Sequence, residues 1–261
     1  LQWNIGAEIV AKENLEKPWK KKEEIDDLYL RTDIHEMFSS TVPTYDLLNH
    51  VFSLNIDRMW RRKLVKRAAL PSDGHLVDLC TGTADVAIVF AKKRPDITVT
   101  GVDFSLQMLA RGKQKVDDAG VAGRVELQEA DALHLPYEND TFDAATVAFG
   151  LRNLPDWPGG IREMARVVKP GGKVLILEFS PAPPTLFGKL YLWYMRHIME
   201  PLGAKVSGYW KTYGYLYSSI THFLRADELA SHMRDAGIAE VEVERLTSGI
   251  AYIHSGVKHA T

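Results

Sequence analysis

The segment Val77-Asp78-Leu79-Cys80-Thr81-Gly82-Thr83-Ala84-Asp85 joins an apolar run to a helical one through a short turn, and Gly101-Val102-Asp103-Phe104-Ser105 closes a second apolar run on a carboxylate. A strand, a tight loop, a helix and a second strand ending in an acid suit a ligand that carries a ribose across the strand ends of a parallel sheet. The loop departs from the dinucleotide fingerprint: Gly82 is kept, but Cys80 and Ala84 stand where further glycines belong. A pyrophosphate needs close backbone approach and a helix N-terminus aimed at its charge. Here Asp78 and Asp85 bracket the loop, which opposes a polyphosphate and favours a cationic, phosphate-free nucleoside. S-adenosylmethionine has that chemistry. The plainer reading is a βα turn with no ligand.

Asp103 closes its strand where an ionised carboxylate can accept both ribose hydroxyls; otherwise it is a helix N-terminal charge ahead of Ser105. Asp131, in Glu129-Ala130-Asp131-Ala132, is placed to take an adenine amino group or to cap its own loop. Gly82 permits close backbone approach, and Thr83 offers a hydroxyl or amide to the amino-acid part of the ligand. A further strand ends in Ala148-Phe149-Gly150-Leu151-Arg152-Asn153, in the crevice where a substrate meets a methyl donor. The Asn/Asp-Pro-Pro-aromatic turn of amino-group base methylation is absent there. The attacking thiol of base C5 methylation is missing from the substrate side, because Cys80 is the single cysteine. Arg152 is either a structural ion-pair partner or a group that holds a phenolic hydroxyl and helps it lose its proton through water. No histidine spacing suggests a metal.

Positioning these residues takes an alternating α/β pattern. Strands are expected at His75–Leu79, Ile97–Val102, Arg124–Glu129, Asp143–Phe149 and Lys173–Phe179, with helices at Asp85–Lys93, Ser105–Ala119 and Pro158–Val168. Ser105 caps its helix and Gly120 ends it, while Pro170-Gly171-Gly172 stops the helix before the last of these strands. Such alternation requires a parallel sheet covered on both faces. Glu240–Leu246 and Ile250–Val257 alternate apolar and polar residues across Ser248-Gly249, as a closing antiparallel hairpin does. The chain divides into a charged arm at 1–33 and a single domain at 34–261. That domain includes N-terminal helices at 34–70, an aromatic-rich helical insertion at 180–221 and a helix near Ala226–Asp235.

The chain has 261 residues, 46% of them hydrophobic, enough for one large α/β domain. A formal net charge of −2 argues against nucleic acid as a partner. One cysteine excludes an intramolecular disulfide and points to a reducing compartment, the cytoplasm. No run of about 18 apolar residues is present to span a membrane. Arg58-Met59-Trp60-Arg61-Arg62-Lys63 with Lys66 and Arg67 makes a basic helix, read either as a solvated face or as a contact for anionic lipid head groups. Phe187, Tyr191, Trp193, Tyr194, Tyr209, Trp210, Tyr213, Tyr215 and Tyr217 supply a core or a greasy tunnel for a hydrophobic substrate.

Together these residues resemble the ubiquinone/menaquinone-biosynthesis C-methyltransferases, over about Met37 to Val257. The resemblance is carried by Tyr45-Asp46-Leu47-Leu48-Asn49, Ser53-Leu54, Trp60-Arg61, the cofactor loop, Gly101–Ser105 and Leu135-Pro136. Its most specific parts are Phe149-Gly150-Leu151-Arg152-Asn153, Lys169-Pro170-Gly171-Gly172 through Leu177-Glu178-Phe179-Ser180, and Ser218-Ser219-Ile220. It implies a class I S-adenosylmethionine-dependent methyltransferase fold, a Rossmann-like parallel sheet with a terminal antiparallel hairpin, plus a helical cap. With the residues above it implies a cofactor set of Asp78, Gly82, Thr83, Asp103, Asp131 and Ala132, and a catalytic set of Arg152, Asn153 and Tyr45. Ala148 stands where many relatives carry Ser, and Cys80 and Ala84 replace the usual glycines.

The Cys-x-Gly-Thr-Ala-Asp form tips the expected substrate to demethylmenaquinol, giving menaquinol and S-adenosylhomocysteine. The alternatives are a methoxy-polyprenyl-benzoquinol on the ubiquinone route, or a cofactor-binding scaffold without activity. The prenyl tail is expected along the insertion, with Arg61 and its neighbours at the bilayer surface. The resemblance also implies a homodimer, peripheral on the inner face of the cytoplasmic membrane.

Overall fold

A computed structural model of the chain describes residues 53, 55–207 and 210–259. The arm at 1–33, Tyr45 and the helical pattern before residue 53 lie outside the described residues.

The first described helix is α1 (Ile56–Ala68). It is followed by β1 (His75–Leu79), α2 (Asp85–Lys93), β2 (Thr98–Asp103), α3 (Leu106–Asp118) and β3 (Val125–Glu129). Next come β4 (Phe142–Ala148), a 3-10 turn at Leu151–Asn153, α4 (Trp157–Val167) and β5 (Val168–Phe179). The insertion is helical, as expected. In it α5 (Leu186–Tyr194) passes through a π turn at Met195–Met199 into α6 (Glu200–Ser207), and α7 (Trp210–Thr221) follows. The chain then forms α8 (Ala226–Asp235), β6 (Ile238–Leu246) and β7 (Ala251–Lys258).

These strands make one seven-stranded sheet in the order β3-β2-β1-β4-β5-β7-β6. β1 is parallel to both β2 and β4, and β7 runs antiparallel between β5 and β6. The chain winds outward from β1 to β3, then returns to build β4 and β5 on the other side. The order therefore reverses between β1 and β4, and a crevice opens outside their C-terminal ends. Apolar side chains alternate across the sheet. Leu175 and Leu177 of β5 join one core with Trp60, Leu64 and Phe90, while Val174 and Ile176 join the other with Ile161, Met164 and Met233.

The helix ends follow local chemistry. Ser105 accepts from Met108 N at 3.3 Å and caps α3, and Gly120 beyond it takes φ +69°. Asp156 caps α4 by accepting from Gly159 N at 2.9 Å. Most boundaries move by a residue or two, and the start of β5 moves furthest. β5 begins at Val168 rather than Lys173, because the strand pairs with β4 on both sides of Pro170-Gly171-Gly172, and a register shift between Phe142 and Ala144 absorbs the turn.

The basic run divides by helical face. Arg61 is buried, and its guanidinium is bonded to Asp57. Lys63 pairs with Glu244 at 2.8 Å, and Arg67 pairs with both Glu242 and Glu244 of β6. Arg61 therefore does not reach a bilayer surface, which corrects the expectation. Only Arg58, Arg62 and Lys66, one turn apart, form the helix's exposed cationic stripe.

Candidate active site

After Leu79 the chain turns back on itself, and Cys80, Gly82 and Ala84 take φ of +51°, +56° and +65°. Gly82 adopts this conformation freely, while Cys80 and Ala84 each carry strain of ~1 kcal/mol or more. The loop is fastened to β2 by Thr81 N donating to Val102 O at 3.0 Å. The close approach requires Gly101, since a Cβ there would lie 2.8 Å from Thr81 Oγ1. A Cβ on Gly82 would meet nothing within 4 Å, so its face is open to a ligand.

Asp103, buried at the end of β2, is oriented by two amides: Gly82 N donates to Oδ2 at 2.8 Å and Ser105 N to Oδ1 at 2.9 Å. Amide donors favour the ionised form, the form that accepts ribose hydroxyls. Asp78, fully buried on β1, accepts from Thr81 Oγ1 at 2.6 Å. Burial pushes its carboxyl up to about 7, against the opposing Thr81 hydrogen bond and Arg61 charge. The Thr83 hydroxyl accepts from Lys115 Nζ at 2.9 Å, and the same ammonium pairs with Asp85 at 2.7 Å. Thr83 thus also ties the loop to α3.

Asp131 caps its own turn by accepting from Leu133 N at 3.0 Å. Its segment is held to β2 by Ala130 N donating to Asp103 O at 3.1 Å, with Ala132 buried alongside. Among these acids sits Cys80, whose thiol is raised well above its ordinary value by burial and then by Asp103, Asp78, Glu178 and Asp131. That shift opposes the thiolate form that a nucleophilic cysteine needs. A donor set of one carboxylate held by amides, a glycine face, a rim acid and a buried acid fits S-adenosylmethionine.

The substrate side grows from the end of β4. Phe149 N donates to Leu177 O at 2.8 Å, and the residue takes φ +60°, turning its carbonyl to the 3-10 turn. That carbonyl accepts from Arg152 Nη1 at 2.5 Å and from Asn153 Nδ2 at 3.5 Å. Arg152 Nη1 also pairs with Glu178 Oε1 at 2.7 Å, and both side chains are buried. Burial raises the Glu178 carboxyl, with the Arg152 charge opposing. Asn153 Oδ1 accepts from Tyr215 Oη of α7 at 2.7 Å.

The floor between these groups is aromatic. Phe149 and Phe179 lie 4.6 Å apart, Trp60 of α1 packs on both, and the Arg152 guanidinium sits 5.5 Å over the Phe179 ring. Burial raises the Tyr191 phenol, and the nearby Arg152 charge opposes that shift.

Arg152 and Asn153 are thus brought together at the crevice. Arg152 has the ion-pair partner that sequence allowed for, and that partner, Glu178, was given no role from sequence. Its signal was present: a lone acid in the apolar strand Val174-Leu175-Ile176-Leu177-Glu178-Phe179 must find a cation. Tyr215 and Lys115 had no comparable signal, because their partners come from distant segments.

The comparisons agree with this geometry. The model of the "ubiE/COQ5 methyltransferase family" matches residues 23–258. The demethylmenaquinone methyltransferase of Deinococcus radiodurans is 42% identical over 86% of this chain and 92% of its own length. The ubiquinone/menaquinone biosynthesis C-methyltransferase UbiE of Geotalea daltonii is 41% identical over 86% of this chain and 96% of its own. Among solved structures, a chain of the Haloferax volcanii complex between the Trm112 methyltransferase activator and a methyltransferase superposes with a TM-score of 0.62. It is 16% identical and covers 85% of this chain and 98% of its own. Phosphoethanolamine N-methyltransferase 2 of Haemonchus contortus, bound to S-adenosyl-L-methionine, gives 0.57 at 18% identity, over 77% of this chain and 52% of its own. The structures share the fold, and the closer sequence matches decide the kinship: the chain belongs to the ubiE/COQ5 methyltransferase family.

Proposed function

We propose that this protein methylates a ring carbon of demethylmenaquinol with S-adenosylmethionine as donor, releasing menaquinol and S-adenosylhomocysteine. The observation that carries the reading is the buried Arg152–Glu178 pair over an aromatic floor beside the cofactor crevice. The names of its relatives support the substrate class.

When bound, the cofactor supplies an electrophilic sulfonium methyl group. Asp103 takes the ribose hydroxyls, Gly82 and Thr83 line the loop beneath the ligand, Asp78 faces its amino-acid end, and Asp131 with Ala132 takes the adenine. The acceptor must be a quinol, because the ring carbon has to be the nucleophile. As a hydroxyl loses its proton, oxygen pushes electron density onto the neighbouring carbon, which takes the methyl group; the ring proton then leaves to restore aromaticity and the oxygen regains a proton through water, so one proton is released for each methyl gained. Arginine stays protonated, so Arg152 stabilises the phenolate while water carries the hydroxyl proton away. A fixed charge in a site closed to water is worth far more than one in solvent. Glu178 and the Phe149 carbonyl are positioning groups for that guanidinium, and Asn153 is positioned by Tyr215. Tyr45 is proposed as a third polar group of this set.

Helices α5–α7 form the cap of the site. Their cluster of Met195, Met199 and Ile220 packs with Phe179, and Tyr215 reaches Asn153, which supports a prenyl tail running beneath them. Membrane attachment through this cap is supported by the exposed side chains Leu186, Phe187, Leu190 and Trp193, which recur along one side of α5 beside Lys189 and Arg196. Among the described residues no helix is long and apolar enough to cross a membrane.

The test is transfer of labelled methyl from S-adenosylmethionine to demethylmenaquinol and, separately, to a methoxy-polyprenyl-benzoquinol, both kept reduced, with products identified by mass. Methylation of the naphthoquinol is expected. Methylation of the benzoquinol alone would overturn the substrate, and binding of the cofactor with neither product formed would point to a scaffold.

A further inference from the structure

Among the described residues, two polar side-chain atoms at the cofactor loop are buried and have no hydrogen-bond partner: Asp78 Oδ1 and Arg61 Nε. They come from different elements, β1 and α1, and they are of opposite kind, an acceptor on an acid and a donor on a cation. Each side chain is otherwise held in place. Asp78 Oδ2 accepts from Thr81. Arg61 is bonded to Asp57 and lies 5.9 Å over the Phe149 ring. A buried polar atom without a partner calls for one, and a bound ligand can supply it.

The charges around Arg61 leave it capacity for another anion. Asp85 is neutralised by Lys115 at 2.7 Å, while Arg61 stands off from the same carboxylate at 3.5 Å. Asp57 takes one end of the guanidinium fork and Ser53 Oγ donates to its other oxygen at 2.6 Å, which fixes the helix-side geometry. Arg61 and Asp78 both reach the same loop, the first at Asp85 and the second at Thr81. An unmatched donor on a cation beside an unmatched acceptor on an acid is the complement of an α-amino acid zwitterion. S-adenosylmethionine ends in that group.

We propose that Arg61 binds the α-carboxylate of S-adenosylmethionine while Asp78 receives its α-ammonium, so that α1 is part of the cofactor site. The inference rests on the reading that this crevice holds the cofactor. It separates the roles of two adjacent residues. Trp60 fastens α1 to Phe149, Phe179 and, through Nε1, to Thr247 Oγ1 at 3.1 Å, whereas Arg61 faces the ligand. A planar, permanently charged fork suits a carboxylate better than an ammonium would.

The test is calorimetric titration of the full chain with S-adenosylhomocysteine and with its decarboxylated analogue, which keeps the amine and lacks the carboxylate. Wild type should bind the first more tightly. Arg61→Gln should weaken S-adenosylhomocysteine by ~10–100-fold and the decarboxylated analogue by less than about threefold. Arg61→Lys, which keeps the charge and the ion pairs in reach, should lose less, and again only toward the carboxylate-bearing ligand. Equal losses toward both ligands in a folded variant would make Arg61 a structural residue and overturn the assignment, as would no loss toward either. If wild type bound neither ligand, the reading of the crevice would itself fail, and the assignment with it.

Discussion

The guanidinium of Arg152 meets the carboxylate of Glu178 at 2.7 Å with both groups out of solvent. Removing one partner of such a pair strands the other charge, at a cost of ~3–5 kcal/mol. Arg152→Ala should therefore lower methylation by at least ~100-fold while S-adenosylhomocysteine affinity changes little. It should also change the pH dependence of stability. Burial already raises the Glu178 carboxyl, and Arg152 is the main charge holding it down. Without Arg152 the group rises further. A carboxyl raised on folding stabilises below its unfolded value and loses that contribution as pH rises. The variant's deficit should thus be small near pH ~4.5 and larger near pH ~8. Urea melts at the two pH values check this, and a deficit independent of pH would show that Glu178 is not the stranded group.

Asp78 makes a second linkage prediction. Its carboxyl sits at about 7 in the folded protein, raised chiefly by burial. The contribution from this group is fully present below the ordinary aspartate range and disappears as pH climbs to about 7 and above. Asp78→Asn keeps an acceptor for Thr81 and removes the charge. Without cofactor it should be more stable than wild type near pH ~8, by ~2–4 kcal/mol, with the advantage vanishing near pH ~4. The same variant should gain less stability from added S-adenosylhomocysteine than wild type does. A variant less stable than wild type at the higher pH would refute the linkage.

Much of the fold and of the crevice is legible in the linear pattern. The strand and helix order follows from apolar runs broken by Gly and Pro, and the acids at the ends of β1 and β2 mark the crevice. Pairing across distance is not legible there. Arg61, Lys63 and Arg67 look alike in the sequence, yet one is buried over Phe149 and two are tied to β6, because successive helical positions face different neighbours. The bond from Tyr215 to Asn153 depends on how α7 folds back over the sheet, which no local spacing encodes. The start of β5 is hidden because Pro170-Gly171-Gly172 reads as a stop, while the sheet tolerates it through a register shift.

Cys80 and Gly150 are coupled by contact. An added Cβ at Gly150 would lie 2.4 Å from Cys80 Cβ, and Cys80 is itself strained at φ +51°. Gly150→Ala should cost ~1–3 kcal/mol by overpacking. Cys80→Gly removes both the blocking Cβ and the backbone strain, which is worth ~1 kcal/mol. The double variant should therefore melt well above Gly150→Ala alone, with a favourable coupling of ~1 kcal/mol or more. Strict additivity in a thermal double-mutant cycle would mean that the loop relaxes around the alanine by another route.

The exposed stripe on α5 bears on how a water-insoluble substrate reaches a site in a protein with no spanning helix among its described residues. Leu186 is 85% exposed and Trp193 52%, and Leu190 lies between them on the same side of the helix. Each large side chain moved from water into a bilayer interface contributes ~1–2 kcal/mol. Replacing Leu190 and Trp193 with Glu should thus lower partition onto anionic vesicles by ~10-fold or more. The same variant should keep its turnover of a short-tailed, water-soluble quinol, because neither side chain belongs to the Arg152 pocket. Sedimentation of the variant with vesicles, beside its activity on short- and long-tailed substrates, separates the roles. Loss on long tails alone supports delivery from the membrane, whereas unchanged vesicle binding with a shift in the mass of the free protein would assign the stripe to contact between two copies of the chain.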